Sequence, residues 1–279
     1  MAYPTVSAPY GLKPVNLIGG QVFSGSTREY PIIYGYATSI FYGDLVKLSR
    51  GNAQQGGITT TMGSANVVGV FLGCSYTDPV TKQKRFNQYW PASTLAGDAV
   101  AVVSDDPDAV FKCAAVATGS ATIISANSAL VGQNAAIANN AGSANTGNSA
   151  IALVSPAATA ATTSTLPLRV MGLVKETAVV LGTGLYTSIS TETITPTAVL
   201  PFAMPVGTEV GSLAANGQYI HSGSFVATAY VAGAATIVMN QAPLTAFVAS
   251  STLVFTQYPE VYVKINALSH GYYSATGIA

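Results

Sequence analysis

Apolar positions along the chain come in short runs cut by turn residues. Val261, Val263 and Ile265 alternate with Tyr262 and Lys264, the period-2 pattern of a half-buried strand. Phe225-Val226-Ala227-Thr228-Ala229-Tyr230-Val231 is a second candidate of that kind. Shorter runs at Ile32-Ile33-Tyr34, Ile40-Phe41-Tyr42, Val67–Leu72, Ala99–Val103, Ala109–Cys113 and Leu168–Val174 predict further strands. Asn216-Gly217, between apolar pieces, predicts a tight hairpin turn. Leu130–Ile137 is compatible with one short helix or turn, and Ala141–Ala150 with a loop. No long segment repeats apolar residues at 3.6 spacing. The pattern therefore predicts a mainly β protein with a sandwich or barrel-like core.

Charge placement divides the chain further. Cys113 to Pro167 carries no charged residue, and between Lys175 and Lys264 there is no Lys or Arg, only Glu176, Glu192, Glu209 and Glu260. That second gap has its own strand-and-turn rhythm. Residues 1–30 are rich in Pro, Gly and Tyr (Pro4, Pro9, Pro14; Tyr3, Tyr10, Tyr30), which suits either a disordered tail or an extended arm ordered by a partner, the aromatic rings favouring the arm. The expected organisation is an N-terminal arm over 1–30, a β core over 31–178 plus 259–279, and an inserted β module over 179–258.

Composition changes the picture from a fold to a kind of protein. The chain has 279 residues with 11 Lys+Arg and 11 Asp+Glu, so charged residues make up 8%, against about 25% in a typical soluble domain. A monomer of this size exposes roughly 11,000 Å² of surface. Charge so sparse points to a component of an assembly, whose surface lies partly against other subunits. Zero net charge and a pI near 6.7 give no electrostatic footprint for nucleic acid or an anionic membrane. Mean hydropathy is +0.41, yet no apolar stretch approaches the roughly 18–20 residues of a spanning helix. The start, Met-Ala-Tyr-Pro-Thr-Val-Ser, shows no signal peptide, and two cysteines make no disulfide framework. Synthesis in a reducing cytoplasm is the expectation.

Candidate chemistry is thin. His221 and His270 sit beside glycines without a nucleophile motif and read as turn or strand-end histidines. Cys74 and Cys113 lack metal-ligand spacing and read as buried, inert thiols. Asp105-Asp106-Pro107-Asp108 offers oxygen donors for a cation, but reads more plainly as a turn between two strands. Lys82, Lys84 and Arg85, beside Phe86, Tyr89 and Trp90, are too few for strong phosphate binding. They suit an ion pair to a neighbouring subunit, with Asp105–Asp108 as a natural acceptor. Gly182-Thr183-Gly184 lacks the third glycine of a nucleotide loop. No catalytic, cofactor or metal site is predicted, and the chain is not expected to be an enzyme.

Several segments are less anonymous. Ala8-Pro9-Tyr10-Gly11-Leu12-Lys13-Pro14-Val15 and Phe41-Tyr42-Gly43-Asp44-Leu45-Val46-Lys47-Leu48, followed in order by Val67–Phe71, Tyr89–Ser93, Val103–Phe111, Leu166–Val174 and Val261–Asn266, resemble the head decoration, or cement, proteins of tailed bacteriophages. The resemblance covers roughly residues 8–177 and 259–279. It implies a non-enzymatic virion protein on the outer surface of the capsid, typically a homotrimer, with the major capsid protein as partner. Residues from about Val179 to Tyr258 depart from that pattern and are similar to small β units of phage tail and fibre proteins. A tail-tube component, or a carbohydrate-binding fibre module using Trp90 and the tyrosines as stacking platforms, are the alternatives.

Overall fold

The computed structural model describes residues 6–49, 52–55, 67–155, 160–161, 166–214, 216–243, 247, 251–267, 270 and 273. Tyr3 and Pro4 of the expected arm lie outside the described residues. The protein is mainly β: among the described residues there is no α-helix, only 3-10 turns at Ser128–Leu130 and Lys175–Thr177. No helix among them is long and apolar enough to cross a membrane. The strands form sheets of eight, six, four and three, one nearly closed into a barrel and another a half-barrel.

The six-stranded sheet is centred on Val67–Thr77, which pairs antiparallel with Leu45–Ser49, Lys84–Asn87 and Val100–Ser104. Arg28–Pro31 and Asn52–Gln55 complete it. The continuous apolar run at the start of Val67–Thr77 follows from burial on both faces. Val67 and Val70 join the largest core with Leu12, Leu45 and Phe111. Phe71, Cys74 and Tyr76 join a second core around Trp90 and Val103. Gly69 is where this strand meets its neighbour most closely, since a Cβ there would lie 2.1 Å from the Ser104 carbonyl oxygen. The Trp90 ring is fully buried and lies edge-on to Tyr76 at 5.3 Å, so it is no stacking platform for a sugar.

The eight-stranded sheet runs through Ala109–Val116, Glu260–Ile265 and Leu168–Leu173. On its other flank Ala109–Val116 takes Ala152–Val154 in parallel and Lys13–Leu17 antiparallel. The charge-free tract thus supplies interior: Ile137, Ile151 and Leu153 are fully buried. Leu130–Ile137 is not a single helix or turn. Gly132, at φ +86°, ends the 3-10 turn, and Asn134–Ala135 and Ile137–Ala138 are short strand pieces.

The N-terminal segment is extended, but its own chain orders it. Lys13–Leu17 is a strand of the eight-stranded sheet and Arg28–Pro31 a strand of the six-stranded one. Gly11 and Gly43, at φ +82° and +95°, pack backbone to backbone, and the Leu12 N–H donates to the Gly43 carbonyl at 3.0 Å. A Cβ on Gly43 would lie 2.9 Å from the Leu12 nitrogen. Only glycine meets both demands, left-handed backbone and contact without a side chain. This crossing seats Leu12, fully buried, in the largest core.

Strands between residues 179 and 257 make the remaining sheets. Val179–Gly184, Thr252–Gln257, Glu209–Leu213 and Tyr219–Phe225 form the four-stranded sheet, and Tyr186–Ser190, Thr193–Pro196 and Ile237–Val238 the three-stranded one. Between them lies a core including Ile194, Val210, Val226, Met239 and Phe255. Asn216-Gly217 makes the hairpin between Glu209–Leu213 and Tyr219–Phe225, with Gly217 at φ +80° and its N–H on the Ala214 carbonyl. The strand expected over Phe225–Val231 instead ends at Phe225. Asn240 Oδ1 accepts the Phe225 N–H, and Val226 turns away to bridge Met239. Ile32–Tyr34 likewise follows its strand: Ile32 is buried, while Ile33 and Tyr34 are exposed in a turn closed by Tyr36.

Candidate interaction surface and buried ion pairs

The residues with chemistry end up mostly in internal pairs. His221 lies on the Tyr219–Phe225 strand with Nδ1 2.5 Å from Glu209 Oε1. Glu209 is fully buried, and its other oxygen has no hydrogen-bond partner among the described residues. Tyr219 stands edge-on to the His221 ring at 4.7 Å, and its own ring crosses Gly211, where a Cβ would collide with it. Together with Lys175, Thr256 and Tyr258 they line a cavity of about 350 Å³ where the chain leaves and re-enters the eight-stranded sheet. Burial, reinforced by the Glu209 charge, pushes the Tyr258 hydroxyl up to about 12 and raises Tyr219 as well.

His270 is buried away from that site, in an isolated bridge to Val67. Burial lowers its pKa, and the nearby Asp105 charge opposes part of the effect. Cys74 and Cys113 are free and buried, and burial pushes both thiols up to about 12. Gly182-Thr183-Gly184 lies within the Val179–Gly184 strand, where Phe202 and Leu200 fill the space a Cβ would need.

The acidic cluster is a turn. Asp106 Oδ1 accepts the Asp108 N–H at 2.9 Å and its carbonyl accepts from Ala109. Asp105, nearly buried, takes Arg28 at 3.2 Å and the Tyr30 hydroxyl at 2.7 Å. No group of three or more His, Cys, Asp or Glu able to hold a metal occurs among the described residues. Lys82, Lys84 and Arg85 make no ion pair to this cluster among the described residues. Lys84 pairs with Asp98 at 3.0 Å and Arg85 with Asp78 at 2.8 Å. A second buried carboxylate was invisible as a site in the sequence. Glu260 accepts from the Tyr10 hydroxyl and lies 3.3 Å from Lys112 Nζ, while Lys13 Nζ sits 4.6 Å from the Tyr10 ring centre.

Alongside these polar contacts, several large apolar side chains face outward. The hairpin leading into Lys84–Asn87 carries Val80 at 85% and Phe86 at 84% exposure. Its turn is rigid: Asp78 Oδ1 accepts the N–H groups of Val80 and Thr81, and Lys82 N–H donates to the Asp78 carbonyl. Asp98 braces the base, accepting from the Thr77 N–H and hydroxyl at 2.9 and 2.7 Å. Elsewhere a groove of about 340 Å³ opens along Lys13–Leu17, walled by Val15, Leu17, Ile18, Val110, Met171 and Tyr262. Val15, Ile18 and Met171 are each about two-fifths exposed there. Compared with known proteins, the chain matches no family model and no curated sequence.

Proposed function

We propose that this chain is a non-enzymatic structural protein of a virion, a decoration protein on the outer surface of a tailed-phage head. The observation that carries the reading is the outward face: rigidly held, exposed apolar side chains on a protein whose histidines, cysteines and most charges are engaged internally. The resemblance of residues 8–177 and 259–279 to cement proteins gives that surface its partner, the major capsid protein, and a homotrimer as the assembly. Mechanically, such a protein adds buried apolar area across seams between capsomers, about 25 cal/mol per Å² before association costs. Repetition over the lattice multiplies modest contacts. Neither nucleic acid nor membrane is part of the reading, and neither is a cofactor.

The test is co-sedimentation of the purified chain with expanded, undecorated capsids, alongside its mass by light scattering. Saturable binding in lattice stoichiometry with a trimer of 28.4 kDa chains is the expected result. Six-membered rings or growing filaments without capsid binding would move the assignment to the tail.

A further inference from the structure

We infer that the hairpin carrying Val80 and Phe86 docks into the groove along Lys13–Leu17 of a second copy of this chain. The inference deepens the proposed function and rests on the self-association within it. The knob is preformed: Asp78 fixes the turn, and Arg85–Asp78 and Lys84–Asp98 hold the arms. An anchor already in its bound conformation loses little entropy on docking. Phe86 and Val80 project from it almost fully exposed.

The groove is its counterpart in both shape and charge. Its walls are mainly aliphatic and aromatic, with Asn16 and the Gly19-Gly20 backbone as the other lining, and about 340 Å³ accommodates a phenyl ring beside an isopropyl group. Ile18 N–H donates to the Asp108 carbonyl at 2.9 Å, which fixes the Asp106–Asp108 turn at the groove edge. The Asp108 side chain there is 65% exposed, with Lys264 only at 4.0 Å. Lys13 and Lys112 are occupied at Tyr10 and Glu260. The hairpin brings Lys82, exposed and with no ion pair among the described residues, next to Lys84 and Arg85. With Lys84 and Arg85 already paired to Asp98 and Asp78, Lys82 is the cation left to meet the exposed Asp108 at the groove edge, a contact that sets register and encounter rate while the apolar anchor sets affinity. Within one chain the hairpin and the groove line separate cavities. Repeated head to tail, a contact between two different patches closes a ring or extends a filament, whereas a reciprocal exchange closes a two-fold dimer.

The experiment uses the full chain and light scattering after size exclusion, with circular dichroism and Trp90 emission as checks on folding. Phe86→Asp removes the knob and Met171→Glu blocks the groove, both at exposed positions. Each is expected to weaken self-association about tenfold or more. Mixing the two variants should restore a 1:1 dimer and nothing larger, because one keeps the groove and the other the hairpin. Lys82→Glu and Asp108→Lys should each weaken assembly, and the double reversal should recover it. An oligomer indifferent to Phe86→Asp, or no dimer on mixing, overturns this contact and leaves self-association standing. A wild-type monomer at every concentration overturns both.

Discussion

In the six-stranded sheet the ion pairs leave no partner fully buried, whereas the sheets over residues 179–257 bury one carboxylate completely. Arg28–Asp105, Lys84–Asp98 and Arg85–Asp78 each have one partner at least 46% exposed, at the edges of a core centred on Trp90. The other region holds Glu209 at 0% exposure, bonded to a His221 side chain that is itself 47% exposed. Partly exposed pairs contribute little to stability and can be lost one at a time. A buried carboxylate must keep its partner, because the uncompensated charge costs far more than the pair contributes. Two regions of similar strand content thus differ in where a single substitution hurts.

The largest expected effects come from emptying the two cores. Trp90→Ala and Phe255→Ala should each cost about 3–5 kcal/mol. The chain has one tryptophan, so its emission follows the six-stranded core alone. Phe255→Ala should lower the calorimetric transition of the 179–257 sheets while the emission midpoint stays in place. Next are the buried pairs. His221→Ala strands Glu209 and should cost about 2–4 kcal/mol by urea unfolding. Lys112→Met should cost less, about 1–2 kcal/mol, because Tyr10 still donates to Glu260.

Smaller still is the contribution of His270. Its folded pKa lies below the ordinary 6.5, so the unfolded chain takes up the proton first. Stability is full above that ordinary value and is lost as pH falls through the lowered one. Urea midpoints between about pH 7 and about pH 5 should show this slope, and His270→Gln should flatten it. The least effect belongs to the cysteines. With both thiols pushed up to about 12, neither should react with an alkylating reagent in the native protein at mild alkaline pH, and both should react in urea.

Local patterns were legible in the sequence where a strand meets its partners on predictable terms. Val67–Leu72, Ala99–Val103, Ala109–Cys113 and Leu168–Val174 announced their strands because apolar runs bounded by turns have few other uses, and Asn216-Gly217 announced its hairpin. Phe225–Val231 misled because β-branched and aromatic residues also line loops packed on a core, as Val226 and Tyr230 do. Asp105–Asp108 was legible as a turn. Its Arg28 and Tyr30 partners were not, nor was the Tyr10–Glu260 bond across 250 positions. Side chains joined over such separations leave no mark in spacing. A lone Glu in a tract without Lys or Arg is the one available signal, and it does not discriminate: Glu176 and Glu192 carry it as Glu209 and Glu260 do, yet both are exposed.

The Glu260–Ile265 strand lies between Ala109–Val116 and Leu168–Leu173, and this has a consequence for synthesis. As the chain emerges from the ribosome, the six-stranded sheet is complete once Ser104 is out, but the eight-stranded sheet waits with a vacant slot at its middle. Translation at roughly 5–20 residues per second leaves that slot open for several seconds. Throughout that interval Phe111 and Val170 lack the neighbour that covers them. The strand that closes the slot arrives after the 179–257 sheets have been made. Assembly of the body therefore ends like a zip fastener drawn shut, and a nascent chain stalled before Glu260 would expose two unpaired edges to its neighbours on the polysome.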